Sequence, residues 1–120
     1  SRTLMSRLLV SISRLEGYIM ADRLGLQKLL EECLGSKNVY YQAPSSVRMK
    51  YPAIRYSRLN IENTFANDNV YAQNHSYEVI VIDKNPDSVV VDRVSKIPSS
   101  HYQRHYTADG LNHDVFTIYY

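Results

Sequence analysis

Tyr77-Glu78-Val79-Ile80-Val81-Ile82-Asp83 is the stretch that decides the fold. Its centre is β-branched and apolar, with polar Gln73-Asn74-His75-Ser76 before it and Lys84-Asn85-Pro86-Asp87 after it. That pattern predicts a strand covered on both faces, or on most of one. Asn85-Pro86-Asp87-Ser88 then predicts a helix start, with Asn85 as the cap and Pro86 in the first helical position. Val90, Val94 and Ile97 fall at i, i+4 and i+7, one stripe of a short helix, and Pro98 stops it. The unit reads strand, helix, return strand.

The chain has 120 residues, enough for one domain with a core of its own. A formal net charge of +2 is too small to argue for nucleic-acid binding by itself. The single cysteine, Cys33, excludes an internal disulfide and suits a reducing compartment. Its place in an apolar helical stripe predicts a packed thiol rather than a reactive one. Eleven tyrosines against two phenylalanines and no tryptophan point towards partly buried contact surfaces, where a large ring with a polar tip is useful.

Upstream, Leu4, Leu8, Ile12, Leu15 and Ile19 recur at helical steps, with Arg2, Arg7, Ser11, Arg14 and Glu16 on the other side. This helix packs on the domain or on a neighbouring subunit; three arginines are too few to favour a membrane or nucleic-acid helix. No stretch approaches the roughly 20 apolar residues of a membrane span. Met20-Ala21-Asp22 resembles a translation start, and Leu15-Glu16-Gly17 is encodable by a purine-rich ribosome-binding sequence. The expected organisation is therefore an amphipathic extension over 1–19, lying upstream of the natural start, and one α+β domain over 20–120.

From Asp22, the stripe Leu24, Leu26, Leu29, Leu30, Cys33 and Leu34 predicts a second helix that ends at Gly35. Asn38–Gln42 and Met49–Leu59 read as strands, the second with Pro52 at an edge or at its beginning. Thr64–Tyr71 is rich in Asn and Asp, and Asn67-Asp68-Asn69 marks a turn or loop. His101–Thr107 and Val115–Tyr120 close the chain as a hairpin about Asp109-Gly110. The fold class is then α+β: a mostly antiparallel four- to five-stranded sheet with helices packed on one face.

Chemistry is sparse. His101, His105 and His113 gather near the C-terminus with Asp109 and Asp114, but a strand would hold His101 and His105 on one face and about 13 Å apart. Glu31-Glu32 read as an exposed helix face, and Asp83 and Asp87 as groups flanking a helix start. No nucleophile motif or phosphate-cradling glycine loop is present. Arg48, Lys50, Arg55 and Arg58 alternate with Tyr51 and Tyr56, a mixture that suits a protein interface better than a nucleic-acid path. Arg48, Lys50, Arg55, Tyr56, Arg58, Tyr71 and His75 form the expected interface set.

Met49-Lys50-Tyr51-Pro52-Ala53-Ile54, Tyr77 through Ser88, Pro98 and Tyr106 through Tyr120 resemble a family of small tailed-phage proteins. Its members occur in tail-morphogenesis gene clusters as tail terminators, tail completion proteins or minor capsid proteins. The resemblance covers about Asp22 to Tyr120. Its most specific pieces are Asp83–Ser88 and Asp109-Gly110-Leu111-Asn112-His113-Asp114. It implies a virion protein, assembled in the host cytoplasm, that is not an enzyme and takes no metal or cofactor. Such proteins form a homo-oligomeric ring, a hexamer, that caps the tail tube, ends its polymerisation and meets the neck proteins. The ring's partners are then other copies of itself, tail tube protein and neck or head-completion proteins, with DNA passing the lumen without specific binding and no membrane. A neck adaptor between portal and tail is the alternative within the virion. A small metal-dependent enzyme using His101, His105 and His113 is the alternative of another class.

Overall fold

A computed structural model describes residues 11–44, 47–67 and 69–120, and the side chains among them from Arg23 onward except those of 70 and 71. In chain order the elements are α1 (Ser11–Leu34), β1 (Val39–Tyr41), β2 (Ala53–Ala66), β3 (Asn69–Asp83), α2 (Val89–Ser95), β4 (Ser100–Ala108) and β5 (Leu111–Tyr119). The strands make one sheet in the order β1-β2-β3-β5-β4. Every neighbouring pair is antiparallel except β1 with β2. The α+β architecture read from the sequence is the one observed.

Tyr77–Asp83 lies at the centre, hydrogen-bonded to β2 on one side and β5 on the other. Alternation along it sorts the core. Tyr77, Val79 and Val81 join Val39, Ile54, Tyr56, Phe116 and Ile118 on the face that meets Leu26, Leu30 and Leu34 of α1 and Val90, Val94 and Ile97 at α2. Each such buried aliphatic contributes about 1.5–3 kcal/mol of transfer free energy. The chain leaves β3, crosses the helical face through α2 into β4, and returns as β5 into the slot between them. Asp109 (φ 53°) and Gly110 (φ 72°) both adopt the left-handed backbone, as the expected two-residue turn requires.

Four local expectations change. The two N-terminal helices are one, because neither proline nor a cap interrupts 11–34, and Gly17 and Gly25 cost only about 1 kcal/mol each. The boundary expected after residue 19 falls inside this helix, while Leu4 and Leu8 lie outside the described residues. Gly25 has a packing reason: a Cβ there would stand 2.7 Å from the Tyr120 hydroxyl, so the glycine gives the last ring of the chain room against α1. Leu24 points to solvent rather than into the apolar stripe. At the helix end, Gly35 (φ 83°) donates to Glu31 O at 2.8 Å and closes the last turn.

The cap of α2 also moves. Ser88, not Asn85, is the N-cap, its Oγ accepting from Val90 N at 3.2 Å. Asp83 Oδ1 accepts from Asn85 N and Asn85 Oδ1 from Asp87 N, so Asn85-Pro86-Asp87 is a chain of Asx turns that delivers the strand to the helix. Ser88→Ala is expected to lower stability by about 1 kcal/mol in urea unfolding. Asn85→Ala, which removes an exposed turn bond and no helix cap, should cost clearly less.

The largest difference is between β2 and β3. The turn expected at Asn67 is present, with φ 53°, but strand runs up to it on both sides: pairing continues from Ala53↔Ile82 out to Ala66↔Asn69, with shifts at Leu59 and Tyr71. Strand β2 is Ala53–Ala66 rather than the expected Met49–Leu59: it starts immediately after Pro52, whose missing N–H suits a position just outside the ladder. Pairing to β1 covers only Ile54–Tyr56 of β2, and pairing to β5 ends at Ser76. Beyond those points the two strands continue alone as a ribbon, roughly 20 Å of arm at the usual rise per residue.

Candidate functional site

The helical face is closed by a polar joint. Tyr56 Oη donates to Gln27 Oε1 (2.5 Å), and Gln27 Nε2 reaches Glu31 Oε2 (3.1 Å) and Val39 O (3.2 Å). The Arg23 guanidinium lies 4.4 Å from the Tyr41 ring centre and donates to Tyr56 Oη at 3.4 Å. Burial pushes the Tyr56 phenol above its ordinary 10.0, with the Arg23 hydrogen bond opposing. Burial likewise raises the Cys33 thiol above 9.0 against the pull of Arg93, so the sole cysteine is a packed, poorly ionised group. These contacts tie α1 to the β1–β2 edge and leave no reactive side chain among them.

The other face of the sheet is covered by no helix among the described residues. Ala53, Ile82 and Val115 are nevertheless buried on it, screened by longer neighbours. Gln42, Arg55, Ser57, Glu78, Ile80 and Tyr106 line a depression of about 300 Å³ there. Arg55 Nη2 donates to Ala43 O at 3.3 Å, and the Tyr106 ring stacks on His113 at 4.6 Å and 13°.

The histidines are parted by a β-bulge. Strand β4 shifts register between Tyr102 and Arg104, leaving Gln103 unpaired. His101 therefore sits opposite Thr117 with its ring on Tyr119, whereas His105 sits opposite Asp114 and bonds Asn112 Oδ1 at 3.0 Å. Thr117 and Tyr119 lie on one face of β5, Asn112 and Asp114 on the other, so the sequence expectation of one shared face is corrected. His113 Nδ1 is 3.1 Å from Leu111 O, and Asp114 accepts from Tyr102 Oη at 2.8 Å. Those partners are local to the hairpin. Among the described residues no group of three or more His, Cys, Asp or Glu side chains is placed to hold a metal ion.

The expected interface set divides. Arg48 and Lys50 are exposed in the segment before β2, and Arg58 is exposed on β2. Arg55 is half-buried on the uncovered face. Tyr56 is a correction: at 1% exposure it belongs to the core and meets no partner. His75 is a second correction, only 5% exposed where the arm leaves the sheet, its carbonyl taken by Tyr120 N at 3.0 Å. The side chain of Tyr71 lies outside the described residues.

Two surfaces were missed. The arm carries exposed Leu59, Ile61 and Phe65, the last 62% exposed. Ile61 and Phe65 keep a period-two spacing that the surrounding asparagines hid, while Leu59 stands in the register shift beside His101, Thr117 and Tyr119 on the uncovered face. The other surface is β4, paired only to β5, so its outer edge keeps a row of backbone groups free of any strand among the described residues. Tyr102 and Tyr106 are exposed on it. No described helix is long and apolar enough to cross a membrane. No protein-family model matches the chain, and no curated protein matches it.

Proposed function

We propose that this chain is a structural subunit of a tailed-phage virion, a tail terminator or completion protein that assembles into a ring at the head–tail joint. The observation that carries the assembly is the presence of two unlike contact surfaces on one chain: an arm with exposed Leu59, Ile61 and Phe65, and a tyrosine-bearing free edge, β4. A closed ring is built from such a heterologous pair, one patch meeting a different patch on the next copy. The resemblance of Asp83–Ser88 and Asp109–Asp114 to the phage family supplies the biological setting. The mostly antiparallel sheet with helices on one face agrees with what that resemblance implies.

Native mass of the full chain across a range of concentrations, alone and with tail tube protein, tests the reading. A ring, or a monomer converted to one by tube protein, is the expected result. A strict monomer that ignores tube protein overturns it and favours a neck adaptor that binds head proteins instead.

A further inference from the structure

We infer that the β2–β3 arm of one copy docks along the β4 edge of the next, extending its sheet. This rests on the ring reading and names the joint that would build it. The arm reaches beyond every other strand, from Ile61↔His75 to Ala66↔Asn69. Its free edges and exposed Ile61 and Phe65 are left uncovered by the described parts of its own chain. The β4 edge is nine residues long, about 30 Å at the antiparallel rise, so it can accept the full length of the arm.

Charge selects this pairing over arm against arm. Between Leu59 and Asp83 every charged residue of the sequence is acidic, and Glu62 stands on the described part of the arm. On β4 the one charged residue is basic, Arg104, between His101 and His105. Two arms would set acid against acid, and two β4 edges base against base. An arm on an edge sets opposite signs together, which favours correct encounter and disfavours both self-pairings. Main-chain hydrogen bonds along the added strand would supply the affinity, and the exposed apolar and tyrosine side chains the register.

Because arm and edge are different patches, each copy offers one of each. The docked pair is head-to-tail, and repetition gives a ring or a filament rather than a two-fold dimer. The outermost strand order explains why the two do not meet within one chain: β4 is at the far edge of the sheet, with β5 between it and β3.

Two variants test the joint. In the first, Glu62–Asn74 is replaced by Asn-Gly, which removes the arm at the paired Ile61↔His75 and leaves β4 intact. In the second, Gln103→Pro places a proline at the residue the bulge leaves without a β5 partner, blocking the edge while keeping the arm. If that chain fails to fold by circular dichroism, Arg104→Glu replaces it and blocks the edge by charge. The wild type should assemble, each variant alone should remain a monomer, and an equimolar mixture should give a dimer of one each with no further growth. A wild type that assembles while the arm-less variant still does, or a mixture that stays monomeric, overturns the docking and leaves the ring reading standing. A wild type that stays monomeric, with or without tail tube protein, overturns both.

Discussion

Phe116→Ala is expected to lose about 3–5 kcal/mol of stability, a large share of the roughly 5–15 kcal/mol of an ordinary domain. Phe116 has no exposed surface, lies opposite Val79 of the central strand, and meets the Tyr102 ring edge-on at 5.2 Å. Truncation removes the transfer term and leaves a cavity that a packed sheet face closes poorly. The chain's only other phenylalanine is the control. Phe65 stands 62% exposed on the arm, where Phe65→Ala should change the unfolding free energy by no more than about 0.5 kcal/mol. Under the arm-to-edge joint it should weaken assembly instead. Urea unfolding of the two variants at one protein concentration separates a core ring from a contact ring. Equal losses from both would mean that the arm is packed within the monomer.

The contrast between these two rings also marks what the sequence could reveal. Tyr77–Asp83 was legible because its apolar content and β-branching both favour a buried strand, and Val90, Val94 and Ile97 because tertiary burial followed the helical period. Asp109-Gly110 was legible because few residue pairs tolerate two left-handed positions in a row. The arm was not, because a two-stranded ribbon exposed on both faces needs no alternation strong enough to stand out from asparagine-rich polar sequence. Its stability comes from pairing across the turn, a relation between Asn60–Ala66 and Asn69–Ser76 that composition does not record. Gln103 is a sharper case. One inserted residue moves His105 to the face opposite His101, and no local propensity announces a bulge. The N-cap was misplaced for a different reason: Asn85 and Ser88 are both good caps, and only the path from β3 into α2 chooses between them.

Val79→Asp tests the dryness of the centre directly. Val79 is fully buried between its partners Tyr56 and Phe116, in a cluster that contains no cationic side chain. A carboxylate placed there has no partner to offset desolvation, so its folded pKa should rise by about 3–5 units. At 1.36 kcal/mol per unit that is a penalty of about 4–7 kcal/mol once the pH exceeds the folded pKa, of which about 4 kcal/mol is already present at pH 7, beyond the lost apolar transfer. A folded pKa raised above the unfolded value gives stability that is present below roughly pH 4 and lost as the pH rises through the folded pKa. The variant should therefore be largely unfolded at pH 7 and regain strand and helix signal in circular dichroism as the pH falls towards about 4. Val79→Asn, equally polar but without an ionisable group, should show no such recovery, which separates a charge penalty from a packing one. An aspartate variant whose stability ignores pH between 4 and 7 would mean that water reaches the central strand, and that β3 is not the dry axis on which the helices and both hairpins are held.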